Sequence, residues 1–336
     1  MTTLMRPVLG LRPSSAPRRA LVVALAVAFV AGCGPAVPTP SASSAPISAT
    51  RPSAASASAN PTASAKPGSS ARPSPAPSST PSPSQSPSQP TIVGATQTAC
   101  PGKATTAHRG SVTTGQSRNW AGYIVGATKG HVTCVEGTWT QPKVRCPSSG
   151  QTSVAIWVGI DGSSAVGGLP DSSATLAQTG TTGDCDQGSA TYGAWFEFLP
   201  DIQQIAPMSV PVKAGDKIWA QVRWLGKGKF VATLINLTEL VGTTQTWTLS
   251  QAPLLTAEWV VEEPAARCSG STCTFVTLAR FSTVTLNGAV TISGRRYRLA
   301  SVPFPYLRTS INRSGRTLAV PSSLSSKGFS VTWKSS

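Results

Sequence analysis

A long segment without aromatic side chains limits where this chain can fold. No Phe, Tyr or Trp occurs between Phe29 and Trp120. Aromatic side chains supply much of the apolar area that a core buries, and a segment that lacks them and is rich in polar residues stays unpacked. The first third of the 336-residue chain is therefore excluded as a globular domain. The remaining part, about 230 residues, is long enough for one domain with a substantial core.

The first 32 residues have the pattern of an export signal. Four arginines precede an apolar run, Ala20–Ala31, which is too short to span a bilayer as a helix but matches the apolar region of a signal peptide. The run ends in Val-Ala-Gly-Cys, which resembles a bacterial lipobox, with Cys33 as the residue that would be acylated. We expect residues 1–32 to be a lipoprotein signal peptide. An ordinary signal followed by an incidental cysteine is the alternative.

This N-terminal pattern predicts where the protein is found. Export followed by acylation of Cys33 would anchor it at the extracellular face of a bacterial membrane. A single acyl chain binds a membrane only reversibly, so release of the protein from the membrane is the other outcome.

Residues 33–97 are rich in Ser, Pro and Ala. Repeated Pro-Ser and Ser-Pro steps favour extended, polyproline-like local structure, and little in the segment could pack. We expect a disordered stalk. A pro-segment that masks an active site is the alternative, although such a segment would carry more apolar or charged residues to dock with.

The small number of histidines limits which catalytic mechanisms and metal sites the chain can have. The chain has two histidines, His108 and His131, which leaves little room for Ser-His-Asp or Cys-His catalysis or for a His-rich metal site. We expect no metal and no cofactor.

The charge is strongly positive, with 28 Lys and Arg against 12 Asp and Glu. Arginines are clustered within 295–298 and 308–316, a pattern that can bind nucleic acid. An exported protein meets anionic envelope polymers or lipid headgroups instead, and a solvated basic face that keeps the protein soluble is the simplest interpretation. We therefore expect no nucleic-acid partner.

Six cysteines remain after Cys33, and an even number in an exported domain predicts disulfide bonds. The spacing cannot fix their connectivity. The pairs that we expect are Cys268–Cys273 across a short turn, Cys134–Cys146 and Cys100–Cys185.

Residues 98–336 have the pattern of β-strands. Apolar and other residues alternate with period two in Ser153–Gly162 and Thr191–Pro200, and long helical patterns are absent. Lys217–Trp224 and Phe230–Leu237 flank a glycine-rich turn, and Asn287-Gly288 is typical of a type I′ hairpin turn. Many short strands joined by turn-rich segments predict an all-β domain, an antiparallel β-sandwich.

Two of these strands carry an aromatic residue and a carboxylate on the face away from the core. They are Trp157 with Asp161, and Trp195 with Glu197. Each pair has a glycine nearby, and because glycine has no side chain it leaves room above the strand. We interpret them as the floor of a groove. Exposed tryptophans beside solvated acids are the alternative.

A third strand carries two glutamates on one face. Glu258 and Glu262 are four residues apart in Ala257–Glu263, so period two places them together. A carboxylate in the middle of a sheet is costly unless it is paired or functional. The other interpretation is an edge strand whose acids prevent aggregation, and the pattern does not decide between the two.

Six short blocks, in order, resemble the glutamic peptidases, also called eqolisins or peptidase family G1. They are Asn-Trp-Ala-Gly from Asn119, Trp-Val-Gly-Ile-Asp-Gly from Trp157, Leu-Ala-Gln-Thr-Gly from Leu176, Ala-Trp-Phe-Glu-Phe-Leu-Pro-Asp from Ala194, Gly-Asp-Lys-Ile from Gly215 and Ala-Glu-Trp-Val-Val-Glu from Ala257. The resemblance implies a sandwich of two curved antiparallel sheets, of concanavalin A-like or jelly-roll type, with a substrate groove on the concave face.

The resemblance also implies the site residues. The catalytic pair would be Gln178 and Glu262, and the groove residues of the family carry over to Trp157, Asp161 and Glu197. We add Gly122, Trp195 and Glu258 to the expected substrate-binding residues. One position departs from the family pattern Gln-Thr-Gly-x-Asp, because Thr182 stands where the aspartate is usual. Asp184 or Asp186 could replace it from the same segment.

The implied activity is that of an acid-active endopeptidase with polypeptide substrates. An ionised Glu262 would take a proton from water, and the Gln178 amide would donate to the developing oxyanion. We expect a pH optimum below about 5, because carboxylates with reference pKa values near 4 must be partly protonated. The alternative is an inactive module that binds polysaccharide or peptide by stacking on Trp157 and Trp195.

Overall fold

The computed structural model describes residues 92–127, 131–163, 175–269 and 272–336. The predicted signal peptide (1–32), Cys33 and the predicted stalk up to residue 91 lie outside the described residues. In the part of the chain described, no helix has the length and apolarity that a membrane span requires.

The described chain is built of β-strands, with one turn of 3₁₀ helix at Leu299–Ser301. The first eight strands are β1 Lys103–Ala104, β2 Val112–Ser117, β3 Trp120–Gly126, β4 Val132–Thr140, β5 Val144–Arg145, β6 Gln151–Asp161, β7 Leu176–Asp186 and β8 Ser189–Leu199. The next seven are β9 Ile202–Met208, β10 Lys217–Trp224, β11 Lys229–Asn236, β12 Val241–Thr248, β13 Thr256–Glu262, β14 Ala265–Ser269 and β15 Thr272–Phe275. The last seven are β16 Thr277–Leu278, β17 Arg280–Phe281, β18 Val284–Ile292, β19 Arg295–Arg298, β20 Tyr306–Arg313, β21 Arg316–Pro321 and β22 Phe329–Trp333. The predicted all-β class is confirmed.

One continuous sheet folds over to form two layers. The layer that we call the groove layer has the order β9-β8-β7-β6-β13-β3-β20-β2. The second, which we call the back layer, has the order β12-β11-β10-β4-β18-β19-β1. Strand β18 joins the layers, because its first half pairs with β22 and its second half with β4. Pairing is antiparallel except for three short parallel pairs among the described strands, β1–β19, β2–β20 and β6–β16.

The main core lies between the two layers. Along β6 the side chains of Val154, Ile156, Val158 and Ile160 are fully buried, as the alternation predicts. Burying each such side chain contributes about 1.5–3 kcal/mol relative to leaving it exposed. The predicted hairpin of β10 and β11 is also present.

The predicted turn at Asn287-Gly288 is wrong. Both residues lie inside the continuous strand β18, close to where it passes from one layer to the other. A Cβ atom at Gly288 would come within 2.0 Å of the Glu136 carbonyl oxygen. The glycine therefore permits a close approach of two backbones and does not form a turn.

Two of the three expected disulfide pairs are also wrong. The bonds are Cys100–Cys134 and Cys146–Cys185. Cys273 is disulfide-bonded and lies opposite Cys268 in the β14–β15 hairpin, as expected for that pair. The longer pairings depend on which strands become neighbours, and cysteine spacing carries no information about that.

Candidate active site

The outer face of the groove layer brings the predicted residues together in three rows across five adjacent strands, β3, β13, β6, β7 and β8. The first row is Trp120, Glu262, Ala155, Thr182 and Gly193. The second is Gly122, Val260, Trp157, Gly180 and Trp195. The third is Ile124, Glu258, Gly159, Gln178 and Glu197. Since residues two apart on a strand share a face, all of them lie on this one surface, which we call the groove face.

Glu262 is held by one donor from β6 and one from Asn119, the residue before β3. The Asn119 side-chain amide donates to its Oε1 (2.8 Å) and the Trp157 indole N–H donates to its Oε2 (2.7 Å). The Trp157 ring is in turn set at 78° against Trp120, with centroids 4.9 Å apart. The carboxyl group is therefore fixed in one orientation.

Burial is the main influence on the ionisation of Glu262. It raises the pKa of the carboxyl to about 8, and the negative charge of Glu197 adds to this, while the N–H groups of Trp157, Trp120 and Asn119 oppose it. The group is consequently neutral at acidic pH. The sequence-based expectation of an ionised Glu262 does not fit this environment.

Gln178 and Glu197 form a hydrogen-bonded pair across β7 and β8. The Gln178 amide Nε2 donates to Glu197 Oε2 at 2.5 Å. Burial raises the pKa of Glu197 to about 7, which the bond from Gln178 only partly offsets. The Oε1 atom of Gln178 is buried and accepts no hydrogen bond within the described structure.

Glu262 and the Gln178–Glu197 pair interact electrostatically. Glu197 and Glu262 belong to different rows, yet ionised Glu197 raises the pKa of Glu262. Through Glu197, the amide of Gln178 and the carboxyl of Glu262 have one neighbour in common. The arrangement can place a hydrogen-bond donor and a neutral acid on the same bound group.

Asp161 has a structural environment. Its carboxylate accepts hydrogen bonds from the backbone N–H groups of Leu254 (3.0 Å) and Leu255 (2.7 Å), which lead into β13. Its own backbone is left-handed, with φ 71°. Burial raises its pKa to about 6, against the effect of these bonds. The Thr175 hydroxyl also donates to its Oδ2 at 3.5 Å. In the described structure these partners hold Asp161, and none of its hydrogen bonds goes to Gln178 or Glu262.

Glu258 is fully buried, and the edge-strand interpretation of it is wrong. Strand β13 lies between β3 and β6, so it has neighbours on both sides. Neither carboxyl oxygen of Glu258 has a hydrogen-bond partner in the described structure. Burial raises its pKa well above the ordinary value, the negative charge of Asp161 adds to this, and the nearby hydroxyl of Thr256, outside hydrogen-bond geometry, opposes it.

The remaining predicted residues shape the floor. A Cβ atom at Gly122 would lie 2.1 Å from the Trp259 carbonyl oxygen, so this glycine permits tight strand packing. Trp157 is 0% exposed and Trp195 is 2% exposed, so neither ring offers an open surface on which a sugar could stack.

The departure from the family pattern lies in the same row as Glu262, two strands away from it. Thr182 occupies the first row, between Ala155 and Gly193. Asp184 lies two residues further along β7, where the Ser153 hydroxyl donates to its Oδ1 at 2.5 Å. Asp186 is at the exposed end of the strand. Neither aspartate takes the place of the missing one in that row.

Sequence reasoning overlooked Asn119 and Trp120 as site residues. Both stabilise the charge of Glu262 through their side-chain N–H groups. The signal was available, because the two residues begin the first of the six blocks.

No group of three or more His, Cys, Asp or Glu in the described ranges is arranged to hold a metal ion.

Comparison with known proteins gives consistent matches. Residues 118–333 match the model of the peptidase A4 family. Aspergillopepsin-2 of Aspergillus niger is 29% identical over 202 residues, which cover 53% of this chain and 65% of that protein. The chain thus spans slightly less than two thirds of the length of this curated relative.

Solved structures match over almost their whole length. Scytalido-glutamic peptidase with a transition state analog inhibitor has a TM-score of 0.53 at 25% identity, covering 65% of this chain and 99% of that chain. SCP-B, a member of the eqolisin family in complex with the tripeptide Ala-Ile-His, has a TM-score of 0.52 at 25% identity, with the same coverage.

Proposed function

Because the chain belongs to the peptidase A4 family of glutamic peptidases, we propose that it is an acid-active endopeptidase that uses Gln178 and Glu262. The observation that carries this proposal is the environment of Glu262. Its carboxyl accepts two side-chain N–H groups on the groove face and is coupled to Glu197, which binds the Gln178 amide.

The protonation state decides how Glu262 would act. With a pKa raised to about 8 by burial, the group is neutral at acidic pH and can both give and accept a proton. Water attacks the scissile carbonyl carbon and passes a proton to the carbonyl-type oxygen of Glu262. The hydroxyl of Glu262 passes its proton to the leaving nitrogen as the C–N bond breaks. Glu262 returns to its neutral form, and an acid and an amine are released.

Gln178 would stabilise the charge that develops on the substrate oxygen. Its NH₂ group has two N–H bonds, of which one is used by Glu197 and the other is available to the oxyanion. Removing one such donor typically lowers the rate by about 10²–10³-fold.

The pH dependence follows from these shifts. The working form requires a protonated Glu262, so activity is present at acidic pH and is lost as the pH rises through the pKa of that group. Protonation of Glu262 therefore sets an alkaline limit to the activity near pH 8, whereas the expected optimum below about 5 still rests on acids with reference pKa values near 4.

The test is hydrolysis of an unfolded protein at pH 3–5 by the wild type and by Glu262→Gln. We expect the wild type to cleave and the variant to be inactive but folded. Glu239→Gln is the matched control, because Glu239 is an exposed surface acid paired with Lys213 at 3.1 Å. Activity in Glu262→Gln would show that another acid is responsible. An inactive wild type would favour the peptide-binding or polysaccharide-binding alternative.

The site of action is a separate proposal that rests on the N-terminal sequence. We propose display at the extracellular face of a bacterial membrane through acylated Cys33, with anionic envelope polymers as partners of the basic surface. Cys33→Ser should release the protein into the medium, as measured by cell fractionation. Unchanged retention by the cells would contradict the anchor.

A further inference from the structure

The groove face has an open position at Gly193. Four glycines lie in the three rows, and a Cβ atom at Gly122, Gly159 or Gly180 would come within 3.0 Å of neighbouring atoms. At Gly193 a Cβ atom would meet a single atom of the described residues within 4 Å, the Thr182 hydroxyl oxygen at 3.5 Å, which is an ordinary contact. This position therefore has room for a group from outside the protein.

The opening lies in the same row as Glu262. The row continues from Glu262 through Ala155 and Thr182 to Gly193, on four adjacent strands, which are spaced about 4.8 Å apart. Between the acid and Thr182, Ala155 contributes only a methyl group. A substrate whose scissile bond lies at Glu262 can therefore direct a side chain over small residues toward Gly193.

A carboxylate borders this opening. Asp184 lies two residues after Thr182 on β7, so it shares the groove face, and its side chain is half-buried. The hydroxyl of Ser153, its partner on β6, donates to its Oδ1 at 2.5 Å. The next residue, Cys185, is disulfide-bonded to Cys146. Asp184 is therefore held in place on a strand that is fixed at this end.

The charge of Asp184 is not balanced by a cation. It forms no ion pair with any cationic side chain that the structure describes, and Asp186, the next residue on the same face of β7, is also an acid. A lysine or arginine side chain has an apolar stem and a charged end. Its stem can lie over Ala155 and Thr182 while its charge meets Asp184. The opening is thus suited to a long basic side chain.

We propose that Asp184 is a specificity-determining residue and that the opening at Gly193 is a subsite for a lysine or arginine side chain of the polypeptide substrate. Asp184 lies two strand spacings and two residues from Glu262, roughly 12 Å between backbones. An extended substrate rises about 3.3 Å per residue, so the basic residue lies within about two positions of the scissile bond. The inference deepens the proposed function and rests on it for its kinetic consequence.

The kinetic test uses a peptide that the protein cleaves at a single bond, with lysine or methionine placed in turn at each of the two positions on either side. The assay is run at pH 5, where lysine is charged and carboxylates with ordinary pKa values are ionised. At one position kcat/KM of the wild type should be about 5–10-fold higher for lysine. Asp184→Asn, which keeps an acceptor for Ser153, should abolish this preference and leave kcat/KM for methionine unchanged.

The matched control is Asp186→Asn, which removes an acid from the same face of the same strand. This variant should keep the preference for lysine. Loss of the preference in Asp186→Asn but not in Asp184→Asn would overturn the proposal, as would equal kcat/KM for lysine and methionine at all four positions.

A second variant tests the shape of the subsite. Gly193→Val should fold, because the nearest described contact of the added Cβ atom is an ordinary one. It should lower kcat/KM for the lysine peptide by about 10-fold, since it fills the space that the side chain needs, and change kcat/KM for a peptide with alanine there by less than about 2-fold. An equal effect on both peptides would overturn the subsite.

A binding measurement separates this inference from the proposed function. In Glu262→Gln, which the proposed mechanism makes inactive, calorimetry should show tighter binding of the lysine peptide than of the methionine peptide, and adding Asp184→Asn should remove the difference. The same result for a protein whose wild type has no peptidase activity would support the subsite and reject the function. Hydrolysis by the wild type together with equal binding of the two peptides would overturn the subsite alone.

Discussion

Two neighbouring glutamates show how differently this protein treats a buried acid. Glu263 points away from the groove face, is 0% exposed and forms an ion pair with Arg313 at 2.9 Å, with a further bond from the Leu278 backbone. Glu262, one residue earlier, is held by neutral N–H donors and lies within the field of another acid.

The same contrast separates two groups of acids across the domain. Glu136 and Glu263 have arginine partners, Arg296 and Arg313. The acids of the groove face, Glu197, Glu258 and Glu262, have none among the described residues. Burial without a cation keeps a carboxyl neutral into the neutral pH range. Burial raises the pKa of Glu263 as well, but Arg313 opposes that rise. The difference teaches that the presence of a cation, in addition to burial, distinguishes an acid that stabilises this fold from one that can exchange protons.

The largest expected effect of this contrast is on stability as a function of pH. In the folded chain burial raises the pKa of Asp161 to about 6, of Glu197 to about 7 and of Glu262 to about 8, whereas the unfolded chain has values near 4. Above pH 4 the unfolded chain loses protons that the folded chain keeps, so the free energy of unfolding falls as pH rises to about 8. Each unit of difference contributes about 1.4 kcal/mol per group, so the three groups together correspond to a loss on the order of 10 kcal/mol. Urea unfolding at pH 4, 6 and 8 measures it, and a midpoint that is constant or rises would break the comparison.

A second prediction concerns the amide of the catalytic pair. Gln178→Ala removes the donor to the oxyanion and should lower kcat by about 10²–10³-fold, or about 3–4 kcal/mol. Steady-state hydrolysis at acidic pH measures this, with the exposed Gln116→Ala as control. A loss of less than 10-fold would leave Glu262 without the proposed partner.

The third prediction tests the paired side of the comparison. Arg313→Met leaves Glu263 buried without its cation, and the free energy of unfolding should fall by about 3 kcal/mol, the lower end of the range for buried pairs because Arg313 is about one-third exposed. Urea unfolding at pH 7 is the measurement. The exposed Arg316→Met should change it by less than about 0.5 kcal/mol. Equal stability of both variants would remove the distinction between paired and unpaired acids.

A smaller effect is expected when one donor to Glu262 is removed. Trp157→Phe deletes the N–H group that donates to Oε2 at 2.7 Å. Since that bond lowers the pKa of Glu262, the pKa should rise further, and loss of orientation should lower kcat by about 10-fold. Trp247→Phe is the control, as Trp247 is exposed and bonded to Asp201. An unchanged kcat would mean that the indole contributes packing alone.

The smallest effect isolates the repulsion between the two acids. Glu197→Gln removes the negative charge that raises the pKa of Glu262, so this pKa should fall. The alkaline limb of the kcat profile should then move to lower pH by about one unit, or about 1.4 kcal/mol. Asp201→Asn, an exposed change near the end of the same strand, should leave it in place. A shift to higher pH would contradict the coupling.

The strands and the face on which each of their side chains lies could be predicted from the sequence. Period-two alternation predicts which residues of β6, β8 and β13 share a face of the sheet, because successive side chains along a strand point to opposite faces. Trp157, Trp195, Glu258 and Glu262 are placed on one surface by that rule alone.

What depends on strand partners could not be predicted. The disulfide pairs, the passage of β18 between layers at Gly288, the central position of β13 and the backbone contacts of Asp161 are all set by segments distant in sequence. The protonation state of Glu262 could not be predicted for the same reason. Its burial and its interaction with Glu197 exist only once β13 and β8 are part of the folded sheet.

The attachment of the N-terminal segment has a mechanical consequence. Val93 forms two backbone hydrogen bonds at the edge of β12, and Cys100 is linked to Cys134 of β4. Force applied through residues before 92 would first shear the two bonds at Val93. It would then load a covalent link into the middle of the back layer, on the far side of the main core from the groove face. A domain pulled by its leading end should thus keep its cleft geometry under tension until that layer itself gives way.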